Sequence, residues 1–264
     1  MKDLENKCYK VITLVRETGA VISKALKEKQ KLVISEKGAH DFVTQIDKQA
    51  EERLINGLSR ILPGSGFLAE ENTGNISGRE FMWIIDPLDG TTNFIHSVPL
   101  FSISVALMYQ HQPVVGVIYE INLDECFYSW QNGDAYLNND KIKVSSINNL
   151  SRSLFATGFP YYNYDRLDSY MGLFIQMLKT TSGLRRLGSA AVDLAWVACG
   201  RLEGFFEYGL HPWDVAAGAF IIQQAGGIVC DFEGKNNYLY GKEIVACNKE
   251  IHTEFMNQVK MYFH

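Results

Sequence analysis

The stretch Trp83-Ile-Ile-Asp-Pro-Leu-Asp-Gly-Thr-Thr-Asn-Phe94 runs from three apolar residues into two aspartates three positions apart, and then into Gly90-Thr91-Thr92. Trp83-Ile84-Ile85 reads as the end of a buried strand, where an unpaired carboxylate is costly. Asp-Pro and Asp-Gly are also common turn dipeptides, so the two acids alone weigh evenly between a turn and a site. The context moves the balance. Pro87 stiffens the spacer, Gly90 allows close backbone approach, and Thr91-Thr92 offers hydroxyls and N–H groups at a helix or turn start that favours an anion. Two carboxylates beside an anion-holding loop are consistent with divalent cations lying between them, because hard cations take carboxylate and phosphate oxygens together. The Asp-x-Asp-Gly-Thr motif of the haloacid-dehalogenase phosphatases is disfavoured by spacing. Aligning Asp89-Gly90-Thr91 to it puts Pro87 where the covalent nucleophile belongs.

Other acids stand at comparable places along the chain. Glu70-Glu71 follows the short apolar segment Phe67-Leu68-Ala69, Asp214 opens a helix after His211-Pro212-Trp213, and Asp47 follows Thr44-Gln45-Ile46. Taken singly, these read as a solvated loop, a helix N-cap and a surface helical acid. Taken together, acids mostly at element ends suggest one metal cluster. No Cys-x-x-Cys zinc pattern and no EF-hand spacing competes with it.

Outward from this stretch the period of apolar residues changes twice. Residues 3 to 29 carry Leu4, Val11, Leu14, Val15, Val21, Ile22, Ala25 and Leu26 near a 3.6 period, and Asp41 to Leu62 reads as a second helix ended by Pro63-Gly64. Phe81–Ile85 and the region from Phe101 to Val144 are β-rich. FSISVALMY and VVGVIYE pair through His111-Gln112-Pro113, and Asn132-Gly133 marks a hairpin. The second half alternates: strands at 153–158, 184–187, 204–208, 228–230 and 243–247, and helices at 165–179, 189–199, 213–225 and 249–262. This pattern predicts an α+β fold of layered sheets and helices. With no repeat or long linker, residues 1–264 form one unit, and any subdivision falls near residue 150.

The bulk composition is that of a globular chain with a sizeable core: 264 residues, 47% apolar and 21% charged. Lys plus Arg is 25 and Asp plus Glu is 30, a formal charge of 25 − 30 = −5, which argues against a broad nucleic-acid-binding face. Five scattered cysteines in apolar settings suggest reduced thiols. The N-terminal MKDLENKCYK lacks an apolar signal core, and no apolar stretch approaches the ~20 residues of a membrane span. A cytoplasmic protein is expected.

Glu70-Glu71, the stretch Trp83–Phe94 and Trp213-Asp214-Val-Ala-Ala-Gly218 together resemble the acidic pair and the two signature motifs of the inositol monophosphatase family, in order and in approximate spacing. The resemblance extends from Asp41-Phe-Val-Thr-Gln-Ile-Asp47 through Gly188-Ser-Ala-Ala191 to Gln224-Ala-Gly-Gly227; many family members carry an acid where this chain has Gln224. It implies a layered α/β/α/β/α sandwich of the sugar-phosphatase type and a lithium-sensitive, Mg²⁺-dependent phosphatase, with Mn²⁺ as a substitute and two to three ions. In that pattern Glu70, Asp86 and the Leu88 carbonyl hold the first ion, Asp86, Asp89 and Asp214 hold the second, and Glu70 also touches a third. Gly90 and Thr91 meet the phosphate. Thr91, with Asp47 as partner, positions the attacking water, and Glu70 belongs to the same catalytic group. Gly188, Ser189, Ala190 and Glu207 match the alcohol side, with Asp193 added to them. Members of this family are commonly homodimers, and Ser35 to His40 falls where they carry a mobile loop that helps to hold the third ion.

The expected reaction is hydrolysis of a phosphomonoester by metal-activated water, with inositol monophosphate as the first substrate. NADP(H), fructose 1,6-bisphosphate and 3′-phosphoadenosine 5′-phosphate are the alternatives within the wider superfamily. A scaffold associated with RNA or transcription is the alternative of another class. Arg185-Arg186 reads first as a solvated or dimer-face pair, and second as an attractor for a further phosphate.

Overall fold

The computed structural model describes residues 3–28, 34–38, 41–72, 77–160 and 163–263, and only the backbone over 34–38 and 41–44. Strands β1 (Ile34–Gly38) and β2 (Asp41–Thr44) form a small antiparallel hairpin. A seven-stranded sheet runs in the order β3 (Gly66–Ala69), β4 (Phe81–Asp89), β5 (Ser102–Tyr109), β6 (Gln112–Glu120), β7 (Glu125–Trp130), β8 (Tyr136–Leu137) and β9 (Asp140–Lys141). Only β3 and β4 are parallel in it. The second sheet contains β10 (Leu154–Thr157), β11 (Gly183–Arg185), β12 (Gly204–Tyr208), β13 (Ile228–Cys230) and β14 (Glu243–Cys247), in the order β11-β10-β12-β14-β13.

The side-chain alternation of the strands explains the stacking. In β4, Trp83 and Ile85 enter one core, with Val11, Val15 and Leu54 from helices α1 (Leu4–Lys27) and α2 (Gln45–Ile61). Ile84, between them, points the other way. It joins a second core with Ala106, Ile118 and Phe127 of the same sheet, and with helices α5 (Ala190–Ala198) and α6 (Pro212–Gln224). Phe205, Ile244 and Ala246 of the second sheet close that core from the far side. Phe155, Phe206 and Val245 face outward, where Leu173 and Met177 of α4 (Leu167–Thr180) and Phe255 and Val259 of α7 (His252–Lys260) cover them. The order of layers is helix, sheet, helix, sheet, helix. Both sheets are buried on both faces, so their central strands are near-continuous apolar runs rather than alternating ones. Helices α5 and α6 lie between two sheets, and their apolar residues surround the whole helix rather than forming a stripe.

Several expected boundaries shift. The helix expected from Asp41 starts at Gln45, because Asp41-Phe-Val-Thr44 pairs as β2 with β1; β-branched Val43 and Thr44 suit that strand. Ser35 to Gly38, expected in a loop, is part of the same hairpin, and residues 39–40 lie outside the described residues. Strand β4 does not stop at Ile85. Asp86 pairs with Ser104 and Asp89 with Ser102, so three steps on one strand face two on its neighbour. This is a bulge, and it accommodates Pro87 inside the sheet. The turn between β5 and β6 is Gln110-His111, both at positive φ, one position ahead of the expected site. Asn132-Gly133 lies in a longer loop between β7 and β8, where Gly133 N–H donates to the Trp130 carbonyl.

Candidate active site

The bulge places the two aspartates of the opening stretch. Asp86, only 2% exposed, uses one carboxylate oxygen to accept the Leu88 N–H at 2.9 Å, which fixes its rotamer across Pro87. Asp89 points to the other half of the chain. Its Oδ2 accepts the Ser189 hydroxyl at 2.5 Å and the Ala191 N–H at 2.8 Å, at the N-terminus of α5, where the helix dipole favours an anion. Asp214 sits in the first turn of α6 and accepts the His211 N–H at 2.6 Å.

Carboxylate oxygens of Asp86, Asp89 and Asp214 lie within 4.8 Å of one another. Loss of solvent pushes Asp86 well above the ordinary carboxylate range, and the charges of Glu70, Asp89 and Asp214 add to it against the Leu88 N–H. Asp214 is raised in the same way, first by burial and then by Asp89. Asp89 is raised by burial while its Ser189 and Ala191 bonds oppose the shift. Such a set, all oxygen donors, fits a hard divalent cation, whose charge would offset the burial that raises all three.

These acids face a cavity of about 370 Å³ also lined by Glu70, Leu88, Gly90, Thr91, Gly188, Ser189, Ala190, Asp193 and Glu207. Of the expected catalytic, metal and substrate residues, Asp47 alone does not line it. It lies buried behind Thr91, whose Oγ1 is 3.0 Å from both Asp47 Oδ1 and the Leu88 carbonyl. Gly90 precedes the short helix α3 (Thr91–His96) at φ 93°, with the Gly188 carbonyl 3.1 Å from where a Cβ would stand. A side chain there would be strained and crowded.

On the opposite wall, Glu207 lies in β12 and Asp193 in the first turn of α5. Burial lifts Glu207 to about 8, with Arg186 opposing, and lifts Asp193 well above its ordinary range, with the charge of Glu207 adding. Asp193 Oδ1 is buried without a hydrogen bond. Glu71 is not among the residues that line the cavity; its backbone N–H donates to Glu51 Oε2 at 2.7 Å.

Two contributors escaped the sequence reading, and a third, Arg186, entered it as a phosphate attractor only in second place. Gly158 is one: a Cβ there would fall 2.0 Å from Glu207 Oε1, so only glycine leaves room for that carboxyl. Asn93 is another, its Nδ2 donating to the carbonyls of Leu100 and Leu187 at 2.8 and 2.9 Å and tying the Gly188 loop to α3. Arg186, first read as a solvated or dimer-face residue, lines the cavity, with its guanidinium carbon 5.9 Å from the Phe159 ring centroid. A Thr-Gly-Phe-Pro turn after a strand was the one visible signal for Gly158; Asn93 and Arg186 depend on contacts between residues far apart in sequence.

The profile of the inositol monophosphatase family matches residues 4–262. The inositol-1-monophosphatase of Mesorhizobium japonicum is 39% identical over 252 residues, covering 95% of this chain and 94% of the relative. The Nus factor SuhB of Pseudomonas aeruginosa is 39% identical over 238 residues, 88% of each chain. Among solved structures, the extragenic suppressor protein suhB of Bartonella henselae superimposes with a TM-score of 0.91 at 38% identity, over 96% of this chain and 97% of that one.

Proposed function

The chain belongs to the inositol monophosphatase family, and on that premise we propose that it hydrolyses a small phosphomonoester, inositol monophosphate first among them, with Mg²⁺ as its metal. The observation that carries this reading is the convergence of Asp86, Asp89 and Asp214 within 4.8 Å beside Gly90 and Thr91. Glu70, Asp86, Asp89, Asp214 and the Leu88 carbonyl are the residues that would hold the ions. When bound, divalent ions lower the pKa of a water and neutralise charge on the phosphate and leaving oxygens.

The chain's own groups do the positioning. Thr91 can accept a hydrogen bond from a water when its own proton goes to Asp47, so the pair holds one oxygen in line with a phosphate seated on the Gly90 and Thr91 amides. Glu70, at the cavity edge, orients the same water. Glu207 and the unpaired Asp193 Oδ1 accept hydroxyl donors from the alcohol, and Gly188, Ser189 and Ala190 form the wall beside them. A homodimer in a reducing compartment is part of the proposal, in keeping with five free cysteines; sedimentation of the purified protein tests the dimer.

Phosphate release from inositol 1-phosphate with Mg²⁺ is expected, and Asp89→Asn should abolish it. Full activity in that variant would overturn the assignment. NADP⁺, fructose 1,6-bisphosphate and 3′-phosphoadenosine 5′-phosphate, assayed alongside, decide which alcohol is preferred. A second reading rests on the relatives named Nus factor SuhB: a role with the transcription machinery. Salt-dependent RNA binding with no phosphatase activity on that panel would favour it.

A further inference from the structure

A second side-chain cluster lies at the edge of the other sheet, away from the carboxylates. Strand β13 ends at Cys230, and β13 is an edge strand of its sheet. Helix α7 begins with His252 and carries Met256 one turn later, so both side chains lie on one face of the helix. That face meets the thiol: Cys230 Sγ is 3.8 Å from His252 Nε2 and 3.7 Å from Met256 Sδ. Cys230 and Met256 are buried, and His252 is half-buried, which leaves an approach from solvent.

With the His252 proton on Nε2, the ring donates to the thiol and the thiol to Met256; with it on Nδ1, both Nε2 and the thioether are acceptors, which one S–H proton cannot serve at once and a cation between the three donors can. The edges also fit. With metal–sulfur legs of about 2.3 Å and a metal–nitrogen leg of about 2.0 Å, separations of 3.7 and 3.8 Å correspond to angles of about 110° and about 120° at the ion. Thiolate and thioether are the soft donors that select monovalent copper, and imidazole suits copper as well, whereas Mg²⁺ and Ca²⁺ take oxygen donors. We propose that Cys230, His252 and Met256 form a three-coordinate site for a soft monovalent cation, Cu(I), separate from the phosphatase centre.

The charged and titratable neighbours are compatible with it. Burial pushes the Cys230 thiol up to about 11, with Asp231 adding and Lys260 opposing, so a bound cation has to displace its proton; Cys247 lies beside it as a neutral thiol, and burial together with Lys260 keeps His252 in its neutral, ligating form. On binding, the thiol S–H bond breaks, an S–Cu bond forms and one proton leaves to solvent. Copper stays monovalent, so no oxidant or reductant takes part.

The test is an anaerobic titration of the full chain with Cu(I) against bathocuproine disulfonate. One Cu(I) per chain and one proton released are expected, with copper-edge absorption reporting two sulfurs and one nitrogen. Met256→Leu, which keeps volume and apolar character, should weaken retention at least about tenfold, and Cys230→Ser should remove it. Cys199→Ser, at the half-buried thiol after α5, should leave it unchanged. Absence of retained copper in the wild type, or retention unaffected by Met256→Leu, overturns the site, and neither outcome depends on the serine variant folding. Phosphate release under Mg²⁺ should be the same in Met256→Leu and wild type.

Discussion

At Asp86 the cost of convergence can be measured directly. Its pKa is raised in the folded state, so folding favours the protonated form. The stability this gives is fully present below the ordinary carboxylate range and is lost as pH rises through the folded value. Without metal, the cluster therefore opposes folding at neutral pH. Asp86→Asn keeps an oxygen for the Leu88 N–H while removing the charge. In EDTA at pH 7 it should melt at a higher temperature than wild type in calorimetry, with an advantage that shrinks as pH falls toward 4. Phosphate release should drop at least about 100-fold in the same variant. Asp89→Asn should gain less, because the Ser189 and Ala191 donors at the N-terminus of α5 already favour the charged form of Asp89. Gly158→Ala tests the alcohol wall. Its methyl overlaps the Glu207 carboxyl and must displace it. KM for inositol 1-phosphate should rise about tenfold, while p-nitrophenyl phosphate, which lacks the hydroxyls, should change far less.

Between elements, the decisive contact is β6 against α6. A Cβ at Gly116 would stand 2.9 Å from the Ala217 carbonyl and 3.2 Å from the Phe220 ring. Backbone cannot give as a flexible side chain can, so Gly116→Ala should destabilise by about 1–3 kcal/mol in urea unfolding. Because α6 carries Asp214 at its first turn, the same variant should lose activity with Mg²⁺ even where it is folded. The apolar runs of β4, β5 and β6 were legible because both faces of the sheet are buried. The extension of β4 to Asp89 was not, since a bulge exists only relative to the register of the neighbouring strand. The pairing of Asp41–Thr44 was hidden for a similar reason: four residues carry little periodicity, and their partner strand supplies the rest.

Across the molecule, the core between the two sheets joins the halves on either side of residue 150. Ile84, Ile118 and Phe127 meet Leu194, Ile221 and Ala246 in one cluster. At the surface, Arg201 makes a bidentate pair with Glu125 at 2.5 and 2.6 Å, a half-exposed contact worth at most about 1 kcal/mol. Hydrophobic area rather than charge therefore couples the halves. A single cooperative melting transition is expected, and fragments 1–149 and 150–264 expressed separately should show no cooperative unfolding by circular dichroism. The layered fold and the acids at element ends were readable from the chain alone. Buried strands and all-apolar helices leave their periods in the sequence, and a carboxylate at the end of a buried apolar run is costly unless a positive charge or hydrogen-bond donors compensate it. Which groups surround those acids was decided only in three dimensions. Asp89 reaches Ser189 across 100 residues of chain, Asn93 reaches Leu187 across 94, and Glu207 needs the absent side chain of Gly158. Such contacts arise where two sheets meet through a shared helical layer, and no local pattern encodes them.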